Sequence, residues 1–526
     1  MEAPIDYEHL PMHWVGDWSG QRCRQTPTRT ALIEPQTGQS VSFAELDTMA
    51  QQWAGWMQDQ AGLNPHDVVA VIAQNRIEAI VLYLACGKLG VVLAPVSHRL
   101  TPAEANDLIA RINPKWVFFD TALTAFTAAL DDSARQRRWL SFGGDDSDYA
   151  KSVATREPYP INRPLALSQI SLLVHTGGST GLPKICQVSY RQMLWNAFEL
   201  MTAATEGLGQ RRELLLFPLF HIGGWNTLLP VLHAGGCVVL LPTFNPHIAL
   251  DTIQRYAINH LGAVEAMLKA IADLPEFKTT DLSSLQGITT AGAACRTATM
   301  EIFLDRGIPI SQAYGLTEAG PSNFYYSRTD QSLATLRAHS QRIGSVFAHS
   351  DYRIVRPEDG HLVSQGEVGE LQCRSLHNFS GYLDDPQRTQ AMIDAQGWIS
   401  TGDLAREDAT GQVVLTGRVD NMLVSGGENI AAEALEALIE THPAIDQALV
   451  FGLPDARWGT RPAAWVVGTD ALSISALDTW AKHELPAFKR PVAWRLVEAL
   501  PLTGAGKWDR RAARAQHMRN TQGENQ

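Results

Sequence analysis

Hydrophobic positions along the chain follow two periods. Across residues 43–60 apolar side chains recur three to four apart, the spacing of one helix face, whereas residues 68–73 form a short unbroken apolar run that predicts a buried strand. Residues 77–89 then predict a helix and 91–95 the next strand. This strand–helix–strand alternation implies a largely parallel sheet with helices on its faces. It recurs in strands predicted at 171–174, 213–218, 237–241, 287–290 and 309–312. From about Arg342 the pattern shortens to strands and turns (352–356, 369–374, 412–416), a small β-rich section. From Asn429 helix and strand return, at 432–441, 447–452, 463–467 and 474–484, as expected of a separate small domain. There is no internal repeat, and only the tail after Arg514 reads as loose.

A chain of 526 residues, 45% hydrophobic and 19% charged, is long enough for two to four folding units with a real core. Its net charge of −12, without a run of Lys or Arg, argues against nucleic acid as a partner. The six cysteines lie far apart, with no CxxC pair or zinc-ligand spacing, and read as buried apolar residues in a reducing compartment. The N-terminus is acidic and polar, unlike a signal peptide. The longest apolar run, residues 80–87, stops at Lys88 and is too short to span a bilayer. These features are those of a cytoplasmic protein with no membrane span.

The densest chemistry lies in Val174-His-Thr-Gly-Gly-Ser-Thr-Gly-Leu-Pro-Lys184. Glycines let backbone N–H groups turn inward together, and hydroxyls with a lysine complete a phosphate cradle. An ordinary Gly-rich turn is the competing reading. Walker A does not fit here, nor at Gly504-Ala-Gly-Lys507, which is followed by Trp508. Gly177-Gly-Ser179-Thr-Gly181 does match the nucleophile-elbow pattern of serine hydrolases. That motif needs a helix straight after the serine, whereas Pro183 and the extended stretch 185–188 predict a hairpin.

Further motifs follow in order: Phe217-Pro-Leu-Phe-His-Ile-Gly-Gly224, Ala313-Tyr-Gly-Leu-Thr-Glu318, Ser400-Thr-Gly-Asp403, Gly417-Arg-Val-Asp420, Ser425-Gly-Gly-Glu-Asn-Ile430 and Pro501-Leu-Thr-Gly-Ala-Gly-Lys507. With these the chain resembles, over roughly residues 20–512, the adenylate-forming superfamily of acyl-CoA synthetases, luciferases and peptide-synthetase adenylation domains. The resemblance implies an α/β fold: a large N-terminal domain of α/β sheets plus a small β-rich section (1–417), a hinge at 418–420, and a small mobile C-terminal α+β domain (421–526). It implies ATP and Mg²⁺, an acyl-adenylate intermediate and loss of pyrophosphate. Thr176, Gly177, Gly178, Ser179, Thr180, Gly181 and Lys184 would hold phosphates. Gly292, Ala293, Ala294, Ala313, Tyr314 and Gly315 would face the adenine and acyl group, with Thr317 on phosphate and Glu318 on the metal. Asp403 and Arg418 would take the ribose, Asp420 would mark the hinge, and Lys507 would stabilise charge on the α-phosphoryl group. His221, Trp225 and Ala313 would border the acyl pocket.

The family's second half-reaction delivers the acyl group to an acceptor. Ser425, Gly426 and Gly427 would line a pantetheine tunnel, which makes CoA the expected co-substrate. An amide-forming ligase, similar to coronafacate ligase and using an amino acid, stays open. Ile185-Cys186, Ser189-Tyr190, Ala431-Ala432 and Gly177 depart from the family pattern beside the loop and tunnel. The pocket stretches carry no acidic or basic pair apart from Glu265, and Gly223-Gly224-Trp225 lacks the aspartate that binds an amino acid's ammonium. A hydrophobic, aromatic or alicyclic carboxylic acid is therefore the expected substrate.

Overall fold

The computed structural model describes residues 5–131, 137–176, 183–204, 207–328, 331–425, 428–455, 457–469, 472–502 and 508–523. By contact density the chain divides into two compact units: Met1–Asp351 with Cys373–Ile399, and Tyr352–Gln372 with Ser400–Gln526. The β-rich section thus clusters largely with the C-terminal residues, where the sequence motifs group it with the N-terminal ones.

The large unit is built on two sheets. In one, the strands Ile310–Tyr314, Gly287–Thr290, His260–Ala263, Arg212–Leu215, Cys237–Leu240 and Thr30–Glu34 lie side by side in parallel. Antiparallel strands close both edges. In the other, Ile170–Thr176, Val92–Pro95, Val68–Ile72, Trp116–Asp120 and Arg138–Phe142 run parallel. Lys184–Ser189 and Gly381–Tyr382 extend it antiparallel. Strands buried on both faces read as continuous apolar runs, which is why 68–72 and 92–95 lack alternation.

The helices between these strands carry their own start and stop signals. Phe43–Asp59 opens with a capping box, the Ser42 hydroxyl accepting from the Glu45 N–H while Glu45 accepts from the Ser42 N–H. All of Ile77–Leu89 is buried, and the helix ends at Gly90 in the left-handed region, at φ +76°. This is the long apolar run of the sequence, and it forms core. Its Lys88 is buried because Asp17 and Asp47 receive the ammonium at 2.6 and 2.7 Å. Among the described residues no helix is long and apolar enough to cross a membrane. The six cysteines are free thiols, and all but Cys23 are buried.

The second unit also has two sheets. One orders Ser350–Val355, Gly369–Ser375, Ile399–Glu407 and Val413–Arg418. The other orders Glu428–Ala431, Met422–Ser425, Gly459–Gly468 and Ile445–Asp455, with Trp494–Leu496 parallel to Gly459–Gly468. Ala432–Ile439 and Ile474–Glu484 bury their apolar stripes against this second sheet. The tail that reads as loose is a helix, Arg510–Gly523. Asp509 caps it by accepting from the Ala512 N–H at 2.9 Å, and Ala513 is fully buried beside Phe451 and Trp465.

Candidate active site

The phosphate-loop motif begins and ends on paired strands: Thr176 stands opposite Lys184, and His175 opposite Ile185. Gly177, Gly178, Ser179, Thr180 and Gly181 lie outside the described residues. From Lys184 the chain is the strand Lys184–Ser189, where the elbow of a serine hydrolase requires a helix. Only at Tyr190 does a helix start, capped by the Ser189 hydroxyl.

Beside this hairpin the Lys184 ammonium stands 5.3 Å above the Tyr382 ring. The Tyr382 hydroxyl donates to Glu318 Oε1 at 2.7 Å. Burial first, and the Glu318 carboxylate second, push the Tyr382 phenol well above its ordinary pKa, so it remains a donor. The neighbouring Cys186 thiol is pushed up by the same two causes and stays neutral. The backbone around Glu318 is held as firmly: its carbonyl accepts from the Phe379 N–H at 2.9 Å. The Thr317 carbonyl accepts from Gln192 Nε2 at 2.8 Å. Gly315 is required by contact, since a Cβ there would lie 2.4 Å from the Pro321 carbonyl oxygen. Tyr314 packs edge-on against Phe324, with centroids 6.0 Å apart. Gly292, Ala293 and Ala294 are exposed, Gly292 in the left-handed region at φ +86°.

His221 caps the helix Ile222–Ala234, its Nδ1 accepting from the Gly223 N–H at 3.0 Å, and its side chain is exposed. Phe220 sits among His98, His175 and the Arg99 guanidinium. His175 Nε2 accepts from the Ser97 N–H, and burial, then His221, lowers its pKa to about 4. Trp225 departs from the expected pocket wall: it is fully buried in the core, 4.7 Å from the Tyr83 ring, because its helix face packs onto Ile77–Leu89. Gly224 is as tightly enclosed, with a Cβ falling 2.5 Å from the Pro218 carbonyl. Ala313 is half-buried at the end of its strand. Glu265 is committed to Arg296 at 2.6 Å and Thr299 at 2.8 Å.

In the second unit Asp403 and Arg418 face each other across paired strands, joined at 2.7 Å, and Arg418 also reaches the Thr401 carbonyl. Asp420 is exposed on the short turn Val419–Asn421. Ser425 ends one strand of a hairpin opposite Glu428, its side chain fully buried. Gly426, Gly427 and Lys507 lie outside the described residues. Among the sequence departures, Ile185 and Cys186 are core, Ser189 is a helix cap, and Gly177 lies outside the described residues. Tyr382 and Gln192 were not legible, since their bonds to Glu318 and Thr317 span 64 and 125 residues.

Residues 20–383 match the AMP-binding enzyme model, and residues 434–507 match the AMP-binding enzyme C-terminal domain. The chain belongs to the AMP-binding enzyme family. A feruloyl-CoA synthase from Amycolatopsis is 31% identical to this AMP-binding enzyme, over 94% of the chain and 97% of that protein. An indoleacetate–CoA ligase from Aromatoleum aromaticum is 30% identical, over 94% and 96%. Among solved structures, the amide bond synthetase McbA from Marinactinospora thermotolerans superposes with a TM-score of 0.85 at 25% identity, covering 96% of this chain and 99% of that one. ATP-bound MatB from Rhodopseudomonas palustris shares the fold, with a TM-score of 0.87 at 22% identity, over 95% and 99%. This AMP-binding enzyme is an AMP-forming acid ligase of the acyl-CoA synthetase type: it uses ATP to convert a carboxylic acid to an acyl-adenylate and transfers the acyl group to an acceptor.

Proposed function

We propose that the enzyme activates a hydrophobic, aromatic or alicyclic carboxylic acid with ATP and Mg²⁺ and passes the acyl group to CoA. The observation that carries the first step is the row Lys184, Tyr382 and Glu318 beside the paired hairpin ends. Hydroxyls, an ammonium and one carboxylate suit a triphosphate with its magnesium, because Mg²⁺ commonly takes one or two carboxylates together with phosphate oxygens. Among the described residues no cluster of three His, Cys, Asp or Glu side chains competes for a metal. Bound there, Mg²⁺ would neutralise phosphate charge.

In this reading Thr176, Lys184, Thr317 and the loop residues 177–181 hold the β- and γ-phosphates, and Glu318 holds the metal. Tyr314, Gly315 and residues 292–294 receive the adenine, and Asp403 with Arg418 the ribose. A substrate carboxylate oxygen attacks the α-phosphorus and pyrophosphate leaves, with Lys507 stabilising the growing charge. The turn at 418–420 acts as a hinge, with Asp420 at its end. The chain beyond it moves as a C-terminal domain (421–526) to expose Ser425, Gly426 and Gly427 to the incoming thiol. The thiolate then displaces AMP from the acyl carbonyl. His221 and Ala313 border the acyl group; Trp225 does not. The commitment of Glu265 to Arg296, and the lack of room for any side chain at Gly224, support an uncharged acyl group.

A second reading, transfer to an amine, is favoured by the likeness to the amide bond synthetase. One competition reaction separates the two. Purified enzyme, ATP and Mg²⁺ meet a panel of aromatic, alicyclic and medium-chain acids with CoA and mixed amino acids present, and products are read by mass. Acyl-CoA masses are expected; acyl-amino-acid masses without thioester would overturn the CoA assignment.

A further inference from the structure

The helix Tyr190–Ala203 turns a polar stripe inward. Gln192, Asn196 and Glu199, spaced four and three residues apart, share one face, and all three are buried to 1% exposure or less. Polar groups are costly to bury on a helix face unless each is spent on a partner. Gln192 Nε2 donates to the Thr317 carbonyl at 2.8 Å, while its Oε1 is buried without a hydrogen-bond partner among the described residues. The position is thus held at a cost in stability that an apolar side chain of the same length would avoid. What the amide supplies in return is the bond to Thr317.

One turn on, Asn196 closes a ring of hydrogen bonds. Its Oδ1 accepts from the Ser322 N–H at 3.2 Å, and its Nδ2 donates to Asn226 Oδ1 at 2.5 Å. Asn226 Nδ2 in turn donates to the Ser322 hydroxyl at 2.9 Å. Asn226 belongs to the helix that His221 caps. A further turn along, Glu199 accepts from the His349 N–H at 3.2 Å. The loop 315–322 that these side chains reach is closed at its base by the Asn323 N–H, which donates to the Tyr314 carbonyl at 2.8 Å. It leaves no slack inside, since a Cβ at Gly320 would lie 2.2 Å from His377 Cδ2.

Gln192 therefore holds the incoming limb of this loop and Asn196 the outgoing one. Both bonds start from a helix whose cap, Ser189, is the last residue of the strand that begins at Lys184. We infer that Gln192 and Asn196 are positioning residues, which hold the loop 315–322 by its two limbs and so set where Thr317 and Glu318 stand relative to Lys184. Through Asn226 the same ring ties the loop to the helix behind His221. The inference rests on the roles proposed for Thr317 on phosphate and Glu318 on the metal. Tyr382 aims the Glu318 carboxylate, and the two amides hold the backbone on either side of it. An error of about 1 Å in the placement of such groups costs on the order of 10²-fold in rate.

The test uses full-length Gln192→Met, Asn196→Ala, Asn196→Asp and Glu318→Gln. Gln192→Met keeps the length of the side chain and removes both the bond to Thr317 and the unpartnered Oε1, so its unfolding midpoint should stay close to that of the unsubstituted enzyme. In ATP–pyrophosphate exchange, with the acid found in the competition reaction, its kcat should nevertheless fall at least ~10-fold. The peptide covering 313–324 should take up deuterium at least ~10-fold faster, while the helix 77–89 keeps its rate. Asn196→Ala should move both readouts the same way. Asn196→Asp should recover most of the loss, because an aspartate still accepts from the Ser322 N–H and the Asn226 amide can turn round to donate to it. Unchanged kcat in Gln192→Met, or loop exchange at the native rate, would overturn the inference; a lowered midpoint with kcat intact is what an amide serving only the fold would give. Should Glu318→Gln keep full activity, the assignment of Glu318 to the metal fails instead, and the deuterium result still decides whether the amides hold the loop.

Discussion

In the large unit four imidazoles, those of His175, His233, His260 and His377, are packed neutral, their pKa values lowered by burial to about 4 for the first three and about 3 for His377. The second unit instead buries a carboxyl, Glu436, which burial raises to about 8, and it raises Glu370 by the same cause. Opposite acid–base chemistry thus lies under similar packing. Burial is the first cause for all four; Arg22 adds to it at His233, Arg191 at His377 and His221 at His175, while His260 lies among Arg211, Arg328 and the Glu213 carboxylate, 2.7 Å away, which pulls the other way. Glu436 sits where a single arginine is its counter-charge. The difference teaches that burial disfavours whichever form is charged, and that the residue type alone sets which side of neutral pH strains the fold.

The largest effect follows directly. An imidazole whose folded pKa lies below the unfolded value of about 6.5 contributes stability that is complete above that pH and is lost as pH falls toward 4. At 1.36 kcal/mol per pH unit, each of the three histidines at about 4 is worth about 3 kcal/mol at the acid end, and His377 about 5 kcal/mol. Glu34, raised to about 6 by burial, offsets a smaller part of this in the large unit. Glu436 acts with the other sign: its contribution is present below about 4.5 and is lost as pH rises through 8. Urea unfolding followed by deuterium exchange at pH 5, 7 and 9 should find the large unit weakest in acid and the second unit weakest in alkali. Loss in the same direction for both units would break the comparison.

A second contrast lies between the carboxylates assigned to the nucleotide. Glu318 is buried and fixed by a tyrosine, whereas Asp403 pairs with an Arg418 side chain that is 43% exposed. Glu318→Gln keeps an acceptor for Tyr382 but removes the charge, so pyrophosphate exchange should drop ~10²-fold or more with little change in unfolding midpoint. A loss under threefold would remove Glu318 from the metal site. Asp403→Asn should cost at most ~1 kcal/mol of stability, as exposed pairs do, while raising KM for ATP. An unchanged KM would detach Asp403 from the ribose.

Much of this arrangement is legible in the chain because its signals are local. The helices 77–89 and 474–484 begin and end where the apolar pattern does, and the strand 287–290, rich in β-branched residues, falls where the sequence predicts it. Pro183 and the extended residues after it are enough to tell a hairpin from an elbow. The residues that hold the site together are less accessible. Tyr382 and Gln192 act across 64 and 125 positions, and nothing near each in sequence marks its partner. Trp225 shows the converse, a motif neighbour whose bulk serves the core. The C-terminal tail reads as loose because a helix rich in arginine and poor in large apolar residues has little periodicity; its cap, the buried Ala513, the bonds of Arg510 to Glu436 and the contact of His517 with Trp465 hold it.

The pairing of Thr176 with Lys184 fixes the two anchors between which the phosphate-loop motif is strung. Side chains on a strand alternate between faces, so a slip of one residue in the pairing of these two strands would turn the lysine to the opposite side of the sheet. Segments taken from other ligases can be grafted between these anchors as long as that register is kept, which makes the hairpin base a ready boundary for engineering nucleotide preference.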